Sequence, residues 1–217
     1  MSKQRETMSR ILRTPRGVPF TFQRWSERVG PSVASKALAS LVEEGAVVRL
    51  HPGVYVRPKT HPLLGQLTPS PEATVKVAAE KSGQRVEIGG ADALRHFGLS
   101  TQVPMQKTFL TSGRTRTMPA GRRAIHLKHV DRVYLQHAGT PAGAALSALR
   151  ELGPTGITLE TTEKVLRRLS TVDRRRLKRQ TKLLPGWLAR PISRAYDRLR
   201  AEATERVRAQ AQPQSRP

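Results

Sequence analysis

Along the first sixty residues the apolar positions recur at helical spacing in three short runs, then switch to two short extended runs. The spacing predicts a helix around Met8–Leu12, stopped by Pro15 and Gly17. A second helix follows Thr21, whose hydroxyl suits an N-cap. It carries Trp25 and Val29 on one face and stops at Gly30. Ser32 then reads as the N-cap of a third helix, Val33–Glu44. At about 100° per residue, Ala34, Leu38, Leu41 and Val42 share its inner face. Ser32, Lys36, Ala39 and Ser40 lie opposite, with Ser35 beside them as a further candidate contact. Gly45 stops this helix. "AVVRL" and "GVYVR" then read as two strands joined through His51-Pro52-Gly53.

Helix, helix, turn, helix, hairpin is the order of a winged helix-turn-helix, with the third helix offered to a DNA major groove. A face of Ser, Ala and one Lys suits close approach of a helix axis to base edges. Arg49, His51, Arg57 and Lys59 flank the hairpin and suit phosphate contacts, which give affinity and register rather than sequence reading. The merely solvated face and the protein-binding winged helix are the competing readings of the same pattern.

Charge strengthens the nucleic-acid reading. The 217 residues include 39 Lys and Arg against 16 Asp and Glu, a net +23 with a pI near 11.7. So large an imbalance predicts a polyanionic partner, with nucleic acid first and an anionic membrane surface second, against a solubilising or genome-wide compositional bias as the competing reading. Aromatics are 4% of residues, so stacking platforms for single strands are scarce. There are no cysteines, which excludes disulfides, thiolate metal sites and a cysteine nucleophile. No apolar run reaches the ~18 residues that span a bilayer, and the first residues carry no secretory pattern. A cytoplasmic location is the expectation, without membrane partners.

The rest of the chain divides by pattern. Residues 1–60 read as the DNA-binding domain and 61–67, within the Pro- and Gly-containing stretch "THPLLGQLTPSP", as a linker. Residues 68–155 read as a mixed α/β domain. Pro71 opens a helix to about Lys81 that Ser82-Gly83 ends. "RVEIGG", "KTFLTSG", "RTRTMPAG" and "RRAIHLKHV" read as strands. "ADALRHFGL" is a short helix with Ala91, Leu94 and Phe97 inward. "TPAGAALSALRELG" is an Ala-rich helix with Leu146, Leu149 and Leu152 inward. Residues 156–217 read as a basic helical extension, broken near Pro185-Gly186 and Pro191, ending in a disordered tail "QAQPQSRP". The fold class is therefore α+β: a winged helix-turn-helix, a small mixed α/β domain and the extension.

"GVYVRP", "GGADALRHFGLSTQVPMQKTFLTSGRTR" and "ALRELG" together resemble a bacterial family of AbiEi-type proteins, transcriptional regulators of type IV toxin–antitoxin systems. The resemblance covers most of residues 8 to 155 and is densest over "LSTQVP…FLTSG". It does not reach the basic C-terminal run. It implies an N-terminal winged helix, an antitoxin domain, repression of the protein's own operon and a nucleotidyltransferase-like toxin as partner.

Catalytic chemistry has little to stand on. His126 and His129 are three apart on a predicted strand and so point to opposite faces. His96 sits beside Phe97 as a rim residue. Glu87 and Asp92 flank Gly89-Gly90 and could hold magnesium, which makes a metal-dependent nucleic-acid enzyme the alternative to a regulator or a nonspecific nucleic-acid binder. No catalytic residue, metal site or cofactor is expected. Arg114, Arg116, Arg122 and Arg123 gather around a predicted hairpin as a second basic surface, with a strand edge protected by charge as the other reading.

Overall fold

The computed structural model describes residues 2–63, 65–67, 69–120 and 123–211. Ten α-helices and nine strands follow one another among them. The first half runs α1 (Lys3–Ile11), β1 (Pro19–Thr21), α2 (Phe22–Val29), α3 (Pro31–Glu43), β2 (Val48–His51), β3 (Val54–Val56), β4 (Lys59–His61), β5 (Gly65–Leu67) and α4 (Pro71–Lys81). The second runs β6 (Val86–Ile88), α5 (Gly90–His96), β7 (Lys107–Thr111), β8 (Arg116–Ala120), β9 (Arg123–His129), α6 (Pro141–Glu151), α7 (Gly153–Gly156), α8 (Leu159–Arg167), α9 (Thr171–Gln180) and α10 (Gly186–Ala211). The described residues are 56% helical and 17% strand. The β1–β3, β3–β2, β4–β5 and β8–β9 pairs are antiparallel, which makes it α+β.

The chain forms two compact units: Met1–Val86 with Gly113–Lys128, and Glu87–Ser112 with His129–Pro217. Both units are discontinuous in sequence. The β8–β9 hairpin thus joins the first unit, although sequence places it within a domain of residues 68–155.

In the first unit, α1, α2 and α3 enclose Ile11, Trp25, Ala34, Ala37, Leu38 and Leu41, all at most 3% exposed, with Phe20 and Val47 closing the sheet side. The sheet order is β1-β3-β2, so β3 is central, and Val54 and Val56 are buried. Strand β1 escapes a reading by pattern because it is three residues long and opens with Pro19. Thr21 both ends it and caps α2, accepting from the Arg24 amide at 3.3 Å. Gly30 at φ 87 is the junction of α2 and α3, a conformation side chains resist. Pro31 then fills N1 of α3, so Ser32 is not its N-cap as sequence suggests: the helix starts with no side-chain cap, and Ser32 stands exposed. The inner face of α3 also differs by one position. Ala37 is fully buried, while Val42 is 37% exposed. Gly45, at φ 68, ends the helix. Residues 59–67 contain the antiparallel β4–β5 pair in place of a structureless linker.

The second unit centres on α6. Ala142, Ala145, Leu146, Ala148 and Leu149 are at most 1% exposed, so this helix is buried nearly all round; its small residues let neighbours approach on every side. Ala93 of α5 and Phe97 just after it pack on it, Ala93 having been missed by pattern in favour of Ala91. The rest of the core comes from the basic C-terminal run: Val165, Leu166, Leu177, Leu188, Ile192 and Ala195 are all fully buried. Residues 157–199 are therefore half of a core rather than an extension. Pro191 does not break α10; Leu188, Ile192, Ala195 and Leu199 keep one buried row across it. Helix α10 continues through Ala211, so the first two residues of the predicted tail, Gln210 and Ala211, are helical; the tail from Gln212 onward lies outside the described residues.

Candidate nucleic-acid interface

The outer face of α3 is small, polar and open. Ser32, Ser35, Lys36 and Ala39 are all exposed, while Ala34, Ala37, Leu38 and Leu41 face the core. Ser40 does not belong to this face. It is half-buried, its hydroxyl donates to the Lys36 carbonyl at 3.1 Å, and it accepts from Gln4 Nε2 of α1 at 3.3 Å. The face ends in an acid, since Glu43 is exposed one turn beyond Ala39. A carboxylate there disfavours phosphate, so an anionic ligand would meet the N-terminal two-thirds of α3.

The β2–β3 hairpin follows directly. Arg49 is exposed opposite Tyr55, and a register shift separates it from the half-exposed His51. The turn at Pro52-Gly53 is tied down at three points. The Phe22 amide at the start of α2 donates to the Gly53 carbonyl at 2.9 Å. Lys81 Nζ, at the end of α4, donates to the Pro52 carbonyl at 2.9 Å. His51 Nδ1 lies 3.3 Å from the same carbonyl. Gly53 adopts φ 74, and a Cβ there would run into Lys81 Nζ. The hairpin is thus short and braced.

Of the other residues expected to meet phosphate, Lys59 is exposed, on β4. Arg57 is half-buried and holds the loop after α1: its Nη1 donates to the Thr14 carbonyl at 2.6 Å, and its own carbonyl accepts from Gly17. Its first role is therefore structural. In the second basic group, Arg114 is exposed and Arg116 is engaged by the Arg114 carbonyl and by Gln84 Oε1 at 3.1 Å. Arg122 lies outside the described residues, as does the side chain of Arg123. Strand β8 packs beside β2, so this group adjoins the hairpin within the first unit.

Two cations were not among the sequence candidates. Arg24 and Arg28, exposed on α2, flank the Trp25 ring at 5.9 and 5.6 Å. The ring holds both guanidinium groups over one side of the helix. The Arg-Trp-x-x-Arg spacing was the signal, since i and i+4 share a face.

The acids singled out as a magnesium site have separate partners. Glu87 is 6% exposed; its Oε1 accepts from the Ile88 amide at 2.9 Å and its Oε2 from the Gly139 amide at 2.8 Å. Burial pushes its carboxyl up to about 7, against those two hydrogen bonds. Asp92 Oδ1 accepts from Lys107 Nζ at 2.9 Å, leaving Oδ2 buried without a partner. Among the described residues no group of three or more His, Asp or Glu is placed to hold a metal ion. His126 is half-buried and His129 exposed, both on β9; His96 is exposed and packs edge-on to Phe97 at 5.0 Å.

Residues 6–177 match a family of unknown function, DUF6088. The chain belongs to this family. No curated protein matches the chain. The crystal structure of the RV2827C protein from Mycobacterium tuberculosis is similar at a TM-score of 0.47 and 14% identity, over 91% of this chain and 77% of that one. Among the described residues no helix is long and apolar enough to cross a membrane.

Proposed function

We propose that this protein is a double-stranded-DNA-binding transcriptional regulator, not an enzyme, that reads DNA through a winged helix-turn-helix in its first unit. The observation that carries the reading is the exposed Ser32-Ser35-Lys36-Ala39 face of α3, followed at once by a braced hairpin carrying Arg49 and His51. The order α1-β1-α2-α3-β2-β3 with β3 central supports it. In this reading Ser32, Ser35 and Lys36 face the groove, while Arg49, His51, Lys59, Arg24 and Arg28 meet phosphate. The AbiEi-type resemblance extends the proposal: the target is the protein's own upstream region, the role that of antitoxin and autorepressor, and the partner a nucleotidyltransferase-like toxin in the cytoplasm.

The test is a salt-dependent titration of that upstream duplex. Arg49→Ala should weaken binding to any sequence and lower the log–log salt slope by about 1. Lys36→Ala should cost about 1–3 kcal/mol on the specific duplex and less on a scrambled one. Equal affinity for both duplexes, with variants unchanged, would overturn the reading in favour of nonspecific binding. The enzyme alternative rests on Glu87 and Asp92. It requires magnesium-dependent cleavage or nucleotidyl transfer by the purified chain that Asp92→Asn abolishes.

A further inference from the structure

We propose that the groove between α9 and α10 is a docking site for an acidic amphipathic segment of another protein. The groove has a volume of about 630 Å³ and belongs wholly to the second unit. One wall is Thr171, Arg174 and Arg175 of α9. The other is a stripe on α10, Arg200, Thr204 and Arg208, at i, i+4 and i+8, with steps of about 6 Å. Leu199, Ala203 and the Tyr196 ring lie between them.

Ion pairing across these helices is uneven. Asp197 is held by Lys178 at 2.8 Å, Glu202 by Arg167 at 2.8 Å and Glu163 by Arg198 at 3.3 Å. Those pairs use Glu163 of α8 and Asp197 and Glu202 of α10, while Glu160 and Glu205 are exposed outside the groove lining. No acid lines the groove, and Arg175, Arg200 and Arg208 are exposed with no carboxylate partner among the described residues. Arg174 is held in place as a wall by the Leu166 carbonyl at 2.7 Å. Three unpaired guanidinium groups thus flank a floor of carbon.

That combination selects the occupant. The backbone of a duplex would satisfy the arginines but presents no apolar face to Ala203, the half-buried Tyr196 ring and the small exposed edge of Leu199. A helix with Leu on one face and Glu at i, i+4 on its flanks matches both floor and walls. Within these 217 residues adjacent acids go no further than Glu43-Glu44, on the other unit. The occupant proposed is a second protein with an acidic helical segment.

The probe is a fluorescein-labelled synthetic helix-forming peptide of Leu and Glu in that pattern, titrated with the full chain by anisotropy at about 150 mM salt, where the Debye length is about 8 Å. The Leu-Lys version of the peptide and a duplex of arbitrary sequence are the comparators. Arg175→Ala/Arg200→Ala should bind the acidic peptide about tenfold more weakly. Arg194→Ala, which removes an exposed cation of α10 outside the groove, should bind as the unaltered chain does. Ala203→Glu, at an exposed floor position, should weaken binding at least as much as the double variant. Unfolding temperatures should not move, since the replaced side chains hold nothing in the fold. Equal weakening by Arg194→Ala would reduce the groove to general attraction by a +23 protein and overturn the proposal. So would absence of binding, or displacement of the peptide by duplex with the same loss in the double variant, which would make the groove a nucleic-acid surface. The outcome is separable from the DNA reading, because none of these variants touches α3 or the β2–β3 hairpin.

Discussion

Two side chains show how a partner decides a residue's role. Arg57 and Arg49 are both cations at the β2–β3 hairpin, yet Arg57 closes onto the Thr14 carbonyl while Arg49 stays open. Ser40 and Ser35 share a helix, yet Gln4 claims one of them. Neither distinction is in the local sequence, since Thr14 lies 43 residues and Gln4 36 residues away. Glu87 makes a sharper case. Its carboxyl is raised from 4.5 to about 7 by burial, so the fold prefers its protonated form. Its contribution to stability is complete below pH 4.5 and is lost as pH rises to about 7, a change of about 3 kcal/mol. Urea unfolding from pH 4 to 8 should show this loss, and Glu87→Gln should flatten it. An unchanged slope in the variant would mean that another group is responsible. At Gly53, φ 74 disfavours a side chain, and a Cβ would push the Lys81 ammonium off the Pro52 carbonyl. Gly53→Ala should lower stability by about 1 kcal/mol or more, read as a fall in melting temperature.

Elements bounded by strong local chemistry are legible in the sequence. The Thr21 cap, the Gly30 and Gly45 stops, Pro71 at the start of α4 and Ser82-Gly83 at its end act within one turn, and the structure keeps all of them. What was not legible depends on distant partners. Strand β1 exists because β3 lies beside it; β4 and β5 exist because each completes the other, against a composition that reads as a linker. At the candidate interface the exposed face of α3 followed from periodicity, whereas the bracing of the hairpin by α4 did not, because Lys81 is 29 residues from Pro52. Pro191 is the reverse case, a local rule overridden. As the sixth residue of α10 it offers no amide to the Trp187 carbonyl, yet the buried row from Leu188 to Leu199 carries the helix through. Restoring the donor should therefore help: Pro191→Ala should stabilise the protein by about 1–2 kcal/mol, less than the full helix cost because the unfolded chain also gains freedom. A fall in melting temperature would mean that the proline ring packs as part of the core.

At the scale of the whole molecule, composition conceals a division of labour. Arginines dominate the C-terminal run, and read as a string it looks like a polyanion-binding appendage. The structure puts its apolar residues into a core shared with α6, and its arginines on the outside of that core. A chain ending at Gly156 would leave Leu146 and Leu149 without Val165, Leu166, Leu188 and Ile192, each a side chain worth about 1.5–3 kcal/mol when buried. That loss exceeds what a domain of this size can spare. The α1–α3 core draws on no residue beyond Val47 and its partly buried neighbour Tyr55. The truncated chain should therefore bind a dye for exposed apolar surface and lose a cooperative transition. Trp25, its one remaining tryptophan, should keep the blue-shifted emission of a buried indole, since it is 3% exposed within that core. A truncated chain that keeps the second unit's transition and binds no dye would make residues 157–211 the appendage their composition suggests. It would also remove the rigid floor on which the α9–α10 groove is built.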